Sequence, residues 1–149
     1  MIGVAVDFWV RLLLGHLAGD YIFQSAKMAL KKSSSYRVCA AHCAAYTATM
    51  AAWLSYELAF STVPALIFLA IVFCSHFVLD KTHVVQWMLD KTGARTFKSA
   101  GAYREKSQEH EIYKQFYVAF TAIVHAVADN TMHFILLYLG LLAINAVPW

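Results

Sequence analysis

The chain has 149 residues, 60% of them hydrophobic and 14% charged. Ordinary globular domains carry about 45–50% apolar and about 25% charged residues. That excess excludes a disordered chain and a water-soluble nucleic-acid binder, and three cysteines exclude a disulfide scaffold. A net charge of +3 is modest, so its meaning lies in where the charges sit. The class left is a small all-α polytopic membrane protein, a helical bundle forming one domain over residues 1–149.

Four stretches are candidates to enter a bilayer, each needing about 20 mostly apolar residues. They run over about 2–20, 38–60, 63–80 and 130–147. The first carries Asp7, Arg11, His16 and Asp20 and starts without a basic run, so it reads as a retained helix rather than a cleaved signal. The last apolar stretch, Ile112–Val147, is too long for one simple span. Its first part, Ile112–Asp129, is expected to be an extension of the last helix or a separate amphipathic helix, with a break near Val127–Thr131. Pro64 and Pro148, the two prolines, fall at segment ends. Ser33–Ser35 reads as a loop, since no G-x-S-x-G surrounds it.

Basic residues are confined almost wholly to two connections. Lys27, Lys31, Lys32 and Arg37 lie in 21–37, and Lys81, Lys91, Arg95, Lys98, Arg104 and Lys106 lie in 81–111, with Lys114 just beyond. Short basic connections stay cytoplasmic. The expected location is a bacterial inner membrane, with both termini extracytoplasmic and anionic lipid headgroups beside the basic loops. Trp9, Trp53, Trp87 and Trp149 fit interfacial anchoring better than base stacking, so no specific nucleic-acid partner is expected.

Seven histidines in so short and apolar a chain call for an explanation. Three are followed four residues later by aspartate: His16/Asp20, His76/Asp80 and His125/Asp129. Chance placement of five aspartates gives roughly 0.2 such pairs. Positions i and i+4 share a helix face, so each pair presents an imidazole beside a carboxylate. Gln24 extends the first motif, His83 the second, and His133 the third. His42 stands on the second segment, one turn before Tyr46. The expected topology brings these groups to one depth, where helices of a bundle build metal sites from inward carboxylates and histidines.

Imidazole and carboxylate together suit zinc and other first-row divalent ions. A divalent ion also offsets several ionisable groups in an apolar setting, each costing roughly 2.5–3.5 kcal/mol on insertion scales. The candidate ligands are His16, Asp20, His42, His76, Asp80, His83, His125, Asp129 and His133, enough for two or three ions. Each has a plainer reading. A single histidine on an apolar helix is commonly a hydrogen-bonded core residue, and one His/Asp pair needs no metal. His110 reads as solvated, and Cys39, Cys43 and Cys74 as small buried residues.

The motifs H-L-x-G-D-Y-x-x-Q at His16–Gln24, His42–Tyr46, His76–Lys81 and Asp129–His133 resemble a small multi-span membrane family of bacteria and phages, the DUF3307 type. The resemblance covers His16 to about Tyr138 and implies a membrane bundle without bringing an activity. Asn130 stands where that family reads Gln. The repeated His-x-x-x-Asp pairs are also similar to membrane-bound metal-dependent hydrolases and, more distantly, to the zinc phospholipase C and P1 nuclease group. That likeness implies metal-assisted attack of water on phosphorus. The Trp ligand that this group carries at its N-terminus has no counterpart at Met1.

The functional expectation is metal-dependent phosphoester hydrolysis at the cytoplasmic membrane face, acting on a lipid phosphate or a nucleotide-like substrate. Asp20, Asp80 and Asp129 are the expected catalytic carboxylates. Gln24, Lys27, Arg37, Lys81 and Asn130 are the expected substrate contacts. Rival readings are a non-enzymatic, phage-type interaction protein with a structural metal or polar pocket, and a haem-binding bundle with two axial imidazoles. Proton or ion movement is a third, disfavoured because the groups sit at one face rather than along a path. Oligomeric state is open.

Overall fold

The computed structural model describes residues 2–55, 62–93 and 96–146, which form helices joined by short turns, with no strand among them. Helix α1 (Ile2–Leu17) runs into a π-helical turn (Ala18–Ile22), followed by α2 (Ala26–Lys31) and α3 (Tyr36–Trp53). Then come α4 (Thr62–Lys81), α5 (Val84–Lys91), α6 (Phe97–Lys106) and α7 (Glu111–Asn145).

Local chemistry sets several boundaries. Ser25 and Ser35 cap α2 and α3, their hydroxyls accepting from the Met28 and Val38 amides. Thr96 and Ser99 form a reciprocal capping box at the start of α6. Gly93 follows α5 with φ +69, a left-handed conformation that glycine adopts without strain.

The chain divides into two compact units, residues 1–81 with 134–149, and residues 82–133. In the first unit α3 packs on α1, on the π-turn, on α2 and on α4. Its core is Leu12 of α1, Tyr46, Met50 and Leu54 of and just past α3, Phe68 and Val72 of α4, and Leu137 and Ile144 of α7. These residues recur at helical spacing along each segment, so each helix contributes one stripe. Gly140 lets α7 approach α4 closely, since a Cβ there would lie 2.7 Å from Ile71 Cγ2. In the second unit Val85, Leu89 and Ala100 are buried, and the Tyr103 and Tyr117 rings pack 4.5 Å apart.

The span expectation needs correction. Among the described residues two helices, not four, are long and apolar enough to cross a membrane: Val63–Lys81, with mean hydropathy 2.1, and Glu111–Asn145, with 1.5. Helix α1 has 16 α-helical residues, about 24 Å at about 1.5 Å each, and then widens into the π-turn. Helix α3 stops at Trp53 and carries Arg37, His42, Tyr46 and two threonines, which dilute its apolar character. Residues 56–60 of the expected second span, and Val147 of the fourth, lie outside the described residues. The break expected near Val127–Thr131 is absent. Asn130 Nδ2 and Thr131 Oγ1 donate to carbonyls one turn back, at 2.7 Å each, and α7 continues through. Cys74, expected to be buried, is exposed, two residues off the stripe that carries Val72 and His76 inward.

The Gly140–Ile71 contact predicts a compensating pair. Gly140→Ala should destabilise the protein by about 1–3 kcal/mol through overpacking. Adding Ile71→Ala should recover part of that loss, a non-additivity that thermal melts of both single variants and the double variant would measure.

Candidate metal centre

The cluster grows out of the core stripes. On α1 the inward series Leu12, His16, Asp20 turns from apolar to polar. On α4 Phe68, Val72, His76, Asp80 does the same, and on α3 Met50, Tyr46, His42 does so in the opposite chain direction. All steps are four residues, so each polar group sits directly above its own helix's apolar contact. The three polar ends therefore meet at one end of the packed core.

Four side chains converge there: Asp20, His42, His76 and Asp80, all buried. His42 Nε2 lies 3.1 Å from Asp20 Oδ1, 3.2 Å from Asp80 Oδ2 and 3.0 Å from His76 Nε2. His76 Nε2 lies 3.5 Å from Asp20 Oδ1 and 3.2 Å from Asp80 Oδ2. Bonds of about 2.0 Å to a tetrahedral zinc put its ligand atoms about 3.3 Å apart. Five edges of this four-atom set therefore match a first-row divalent ion in tetrahedral coordination. Protons alone satisfy the arrangement poorly. Two ring nitrogens 3.0 Å apart cannot both point an N–H at each other, and one N–H on His42 cannot serve three neighbours. The set can hold a metal ion, and it accounts for one.

Surrounding groups fix the ligands. The Tyr46 ring stacks on His76, centroids 3.8 Å apart and planes 18° apart, and its hydroxyl lies 2.7 Å from His16 Nδ1. His16 Nε2 is 4.0 Å from Asp20 Oδ2, so it stands beside the four-residue set rather than in it. Gly19 permits this packing: a Cβ there would lie 2.7 Å from Tyr46 Cδ2. The π-turn closes with the Phe23 amide donating to the Ala18 carbonyl at 3.0 Å, and Asp20 sits inside it. Such widened turns recur at functional sites. Lys32 Nζ meets Asp80 Oδ1 at 2.7 Å and Asp20 Oδ1 at 3.7 Å. Gln24 Nε2 donates to Asp20 Oδ1 at 3.4 Å and lies 2.9 Å from His42 Nε2.

The remaining sequence candidates are not members of this four-residue set. Lys81 Nζ donates to the Ser33 carbonyl at 2.6 Å and sits 4.1 Å over the Tyr36 ring, bracing the turn before α3. Lys27 and Arg37 are exposed. His83, also exposed, precedes α5. Within the second unit His125 packs against the Phe97 ring, and His133 Nε2 lies 3.7 Å from Asp129 Oδ2. Asn130 turns its amide to the Ala126 carbonyl. His110 accepts from the Ile112 amide at the exposed start of α7. Sequence reasoning missed Lys32 and the part played by Tyr46. Lys32 belongs to no motif, and only its reach across to α4 reveals it.

One family model, described as Protein of unknown function (DUF3307), matches residues 8–144. The chain belongs to the DUF3307 family. All four converging residues, with Gln24, Lys32 and Tyr46, lie inside the DUF3307 match. Comparison with curated proteins and with solved structures gives no match.

Two predictions test the centre. Cobalt(II) added to the purified chain should give the intense visible bands of four-coordinate cobalt, and His42→Ala or Asp80→Ala should abolish them while His83→Ala leaves them. Gly19→Ala should push the Tyr46 ring off His76 and weaken metal affinity about 10–100-fold, the range for residues that orient ligands. A metal titration of that variant with unchanged affinity would refute this role for Gly19.

Proposed function

We propose that this chain is a membrane-embedded, metal-dependent phosphoester hydrolase of the bacterial inner membrane, with one zinc ion held by Asp20, His42, His76 and Asp80. The observation that carries the reading is the convergence of two imidazole nitrogens and two carboxylate oxygens at tetrahedral spacing. Nitrogen and oxygen donors in a tetrahedron favour zinc over magnesium or calcium, which take six or more oxygens.

Membrane embedding is supported by the surfaces of α4 and α7. Only 28% and 22% of their most apolar windows are buried, whereas the core helix of a soluble protein is mostly covered. On α4, Val63, Leu66, Ile67 and Val78 face outward. An apolar surface of that extent is stable against lipid and costly against water. Orientation follows from charge. Lys32 reaches Asp80 and Lys81 reaches Ser33, so the basic connection 21–37 lies at the C-terminal end of α4. The second basic connection leaves from that same end, and both are read as cytoplasmic.

A divalent ion held by these four side chains would supply Lewis-acid chemistry, activating water and offsetting charge at phosphorus. Four protein ligands fill a tetrahedron, so turnover needs a fifth position or a mobile ligand. Asp80 fits the second role. Lys32 holds its Oδ1 while Oδ2 faces the histidines, so the carboxylate keeps a charged partner if Oδ2 withdraws. Closure of the set by four buried side chains also favours a second reading, an ion that braces the three helices without catalysis.

Activity separates the two. Zinc-loaded protein in nanodiscs, screened against lipid phosphates, nucleotides and generic phosphodiesters, should show chelator-sensitive hydrolysis that Asp80→Asn abolishes. Full zinc occupancy with no hydrolysis of any substrate would favour the brace. For topology, Ser34→Cys and Ser99→Cys should resist an impermeant thiol reagent in intact cells. Labelling of Ser34→Cys above the native cysteine background would reverse the orientation.

A further inference from the structure

The segment that carries Asp20 inverts the usual order of a surface turn. Asp20 is buried, and Gln24 turns inward to Asp20 and His42. Between them Tyr21, Ile22 and Phe23 are all exposed, Ile22 to 74% and Phe23 to 57%. Polar side chains thus point in, and three consecutive large apolar ones point out. Helix α2 follows with no buried residue, and its Leu30 is 81% exposed. Large apolar side chains gathered in this way mark a surface that meets an apolar partner.

Charge and level identify that partner. Residues 21–37 hold Lys27, Lys31, Lys32 and Arg37 and no Asp or Glu. Lys27, Lys31 and Arg37 are exposed, and none of these three has an ion pair among the described residues. The outward apolar side of α4 continues to Val78, two residues before Asp80, so it reaches the level of the cluster. At the same end of α4 the exposed Tyr36 ring stacks on Phe77 and lies under the Lys81 ammonium. Tyrosine beside lysine is the anchoring chemistry of a membrane–water boundary.

We propose that residues 21–37 dock on anionic phospholipid, with Ile22, Phe23 and Leu30 among acyl chains and Lys27, Lys31 and Arg37 on headgroup phosphates. This rests on the membrane reading above and adds the lipid class. In-plane segments of this kind sink apolar side chains about 5–10 Å into the headgroup boundary, and basic residues strengthen the attachment to anionic lipid. The segment also satisfies backbone amides locally, through the Phe23 amide of the π-turn and the Ser25 and Ser35 caps, as a layer poor in water requires. Asp20 immediately precedes the outward triplet and Gln24 immediately follows it, so lipid held there borders the metal centre.

The test places a nitroxide label at Ile22→Cys and, separately, at Leu30→Cys in the full chain. The exposed Cys74 is changed to serine in both, while Cys39 and Cys43 stay buried. Leu66→Cys, on the outer side of α4, reports whether that helix is embedded. Each label is read in phosphatidylcholine nanodiscs with and without phosphatidylglycerol, by its accessibility to oxygen against a water-soluble nickel chelate. No zinc is needed, so the outcome is independent of the ion assignment. With phosphatidylglycerol present, both segment labels should be open to oxygen and shielded from the chelate. One basic side chain near an anionic surface favours attachment about fivefold. Lys27→Gln/Lys31→Gln/Arg37→Gln should therefore lower the shielded-to-exposed ratio by on the order of 100-fold. Omitting phosphatidylglycerol should lower it in the same direction. A chelate-exposed label at Ile22→Cys or Leu30→Cys overturns the docking, and a shielded Leu66→Cys label beside it leaves the embedding of α4 standing. Shielding that neither phosphatidylglycerol nor the triple variant changes assigns the cover to neutral lipid or protein, and also overturns the proposal. A chelate-exposed Leu66→Cys label fails the embedding, while the two segment labels still decide the docking by themselves.

Discussion

Two imidazole nitrogens 3.0 Å apart, facing two buried carboxylates, form the constraint around which the first unit is arranged. Such a group is stable only if a cation sits among its donors or the protons are shared with care, since isolated charges in an apolar setting are costly. The neighbouring features serve that requirement. The π-turn buries Asp20, Gly19 admits the Tyr46 ring, Tyr46 holds His76 flat, and Lys32 takes the outer oxygen of Asp80. None of these has an evident purpose apart from the cluster.

The cluster also explains why α1, α3 and α4 have the register they have. Each carries a stripe that is apolar at one end and polar at the other, and α3 runs against the other two. Sliding any one helix by a turn would set an imidazole against Phe68 or Met50 and leave a carboxylate facing aliphatic carbon. Close backbone contacts and buried polar groups both make helix packing specific to one register. The Gly140–Ile71 approach and the histidine–aspartate set are examples of each.

The cluster's surroundings are asymmetric. Tyr46 and His16 close one side with buried rings, while Lys32 and Gln24 border the side that reaches the surface. Nitrogen and oxygen donors at this spacing can hold a divalent ion.

The sequence by itself determined the helical class, the stripes of i+4 spacing, and three of the four cluster residues as members of His/Asp pairs, because those properties are local and periodic. It also marked His42, through its placement on a second segment. It could not tell which members of the pairs join the four-residue set within the first unit, since His16/Asp20, His76/Asp80 and His125/Asp129 all share one spacing. Nor could it tell that His16 supports the set through Tyr46 while His42 joins it, for both are histidines on an inward face. Span count misled because apolar content alone does not report where a helix ends. The π-turn after Leu17 and the polar residues of α3 shortened two of the four segments. Lys32 was the largest omission, and the reason is physical. Its partner, Asp80, is 48 residues away in the chain, and only the packing of α3 between α1 and α4 brings the two to 2.7 Å.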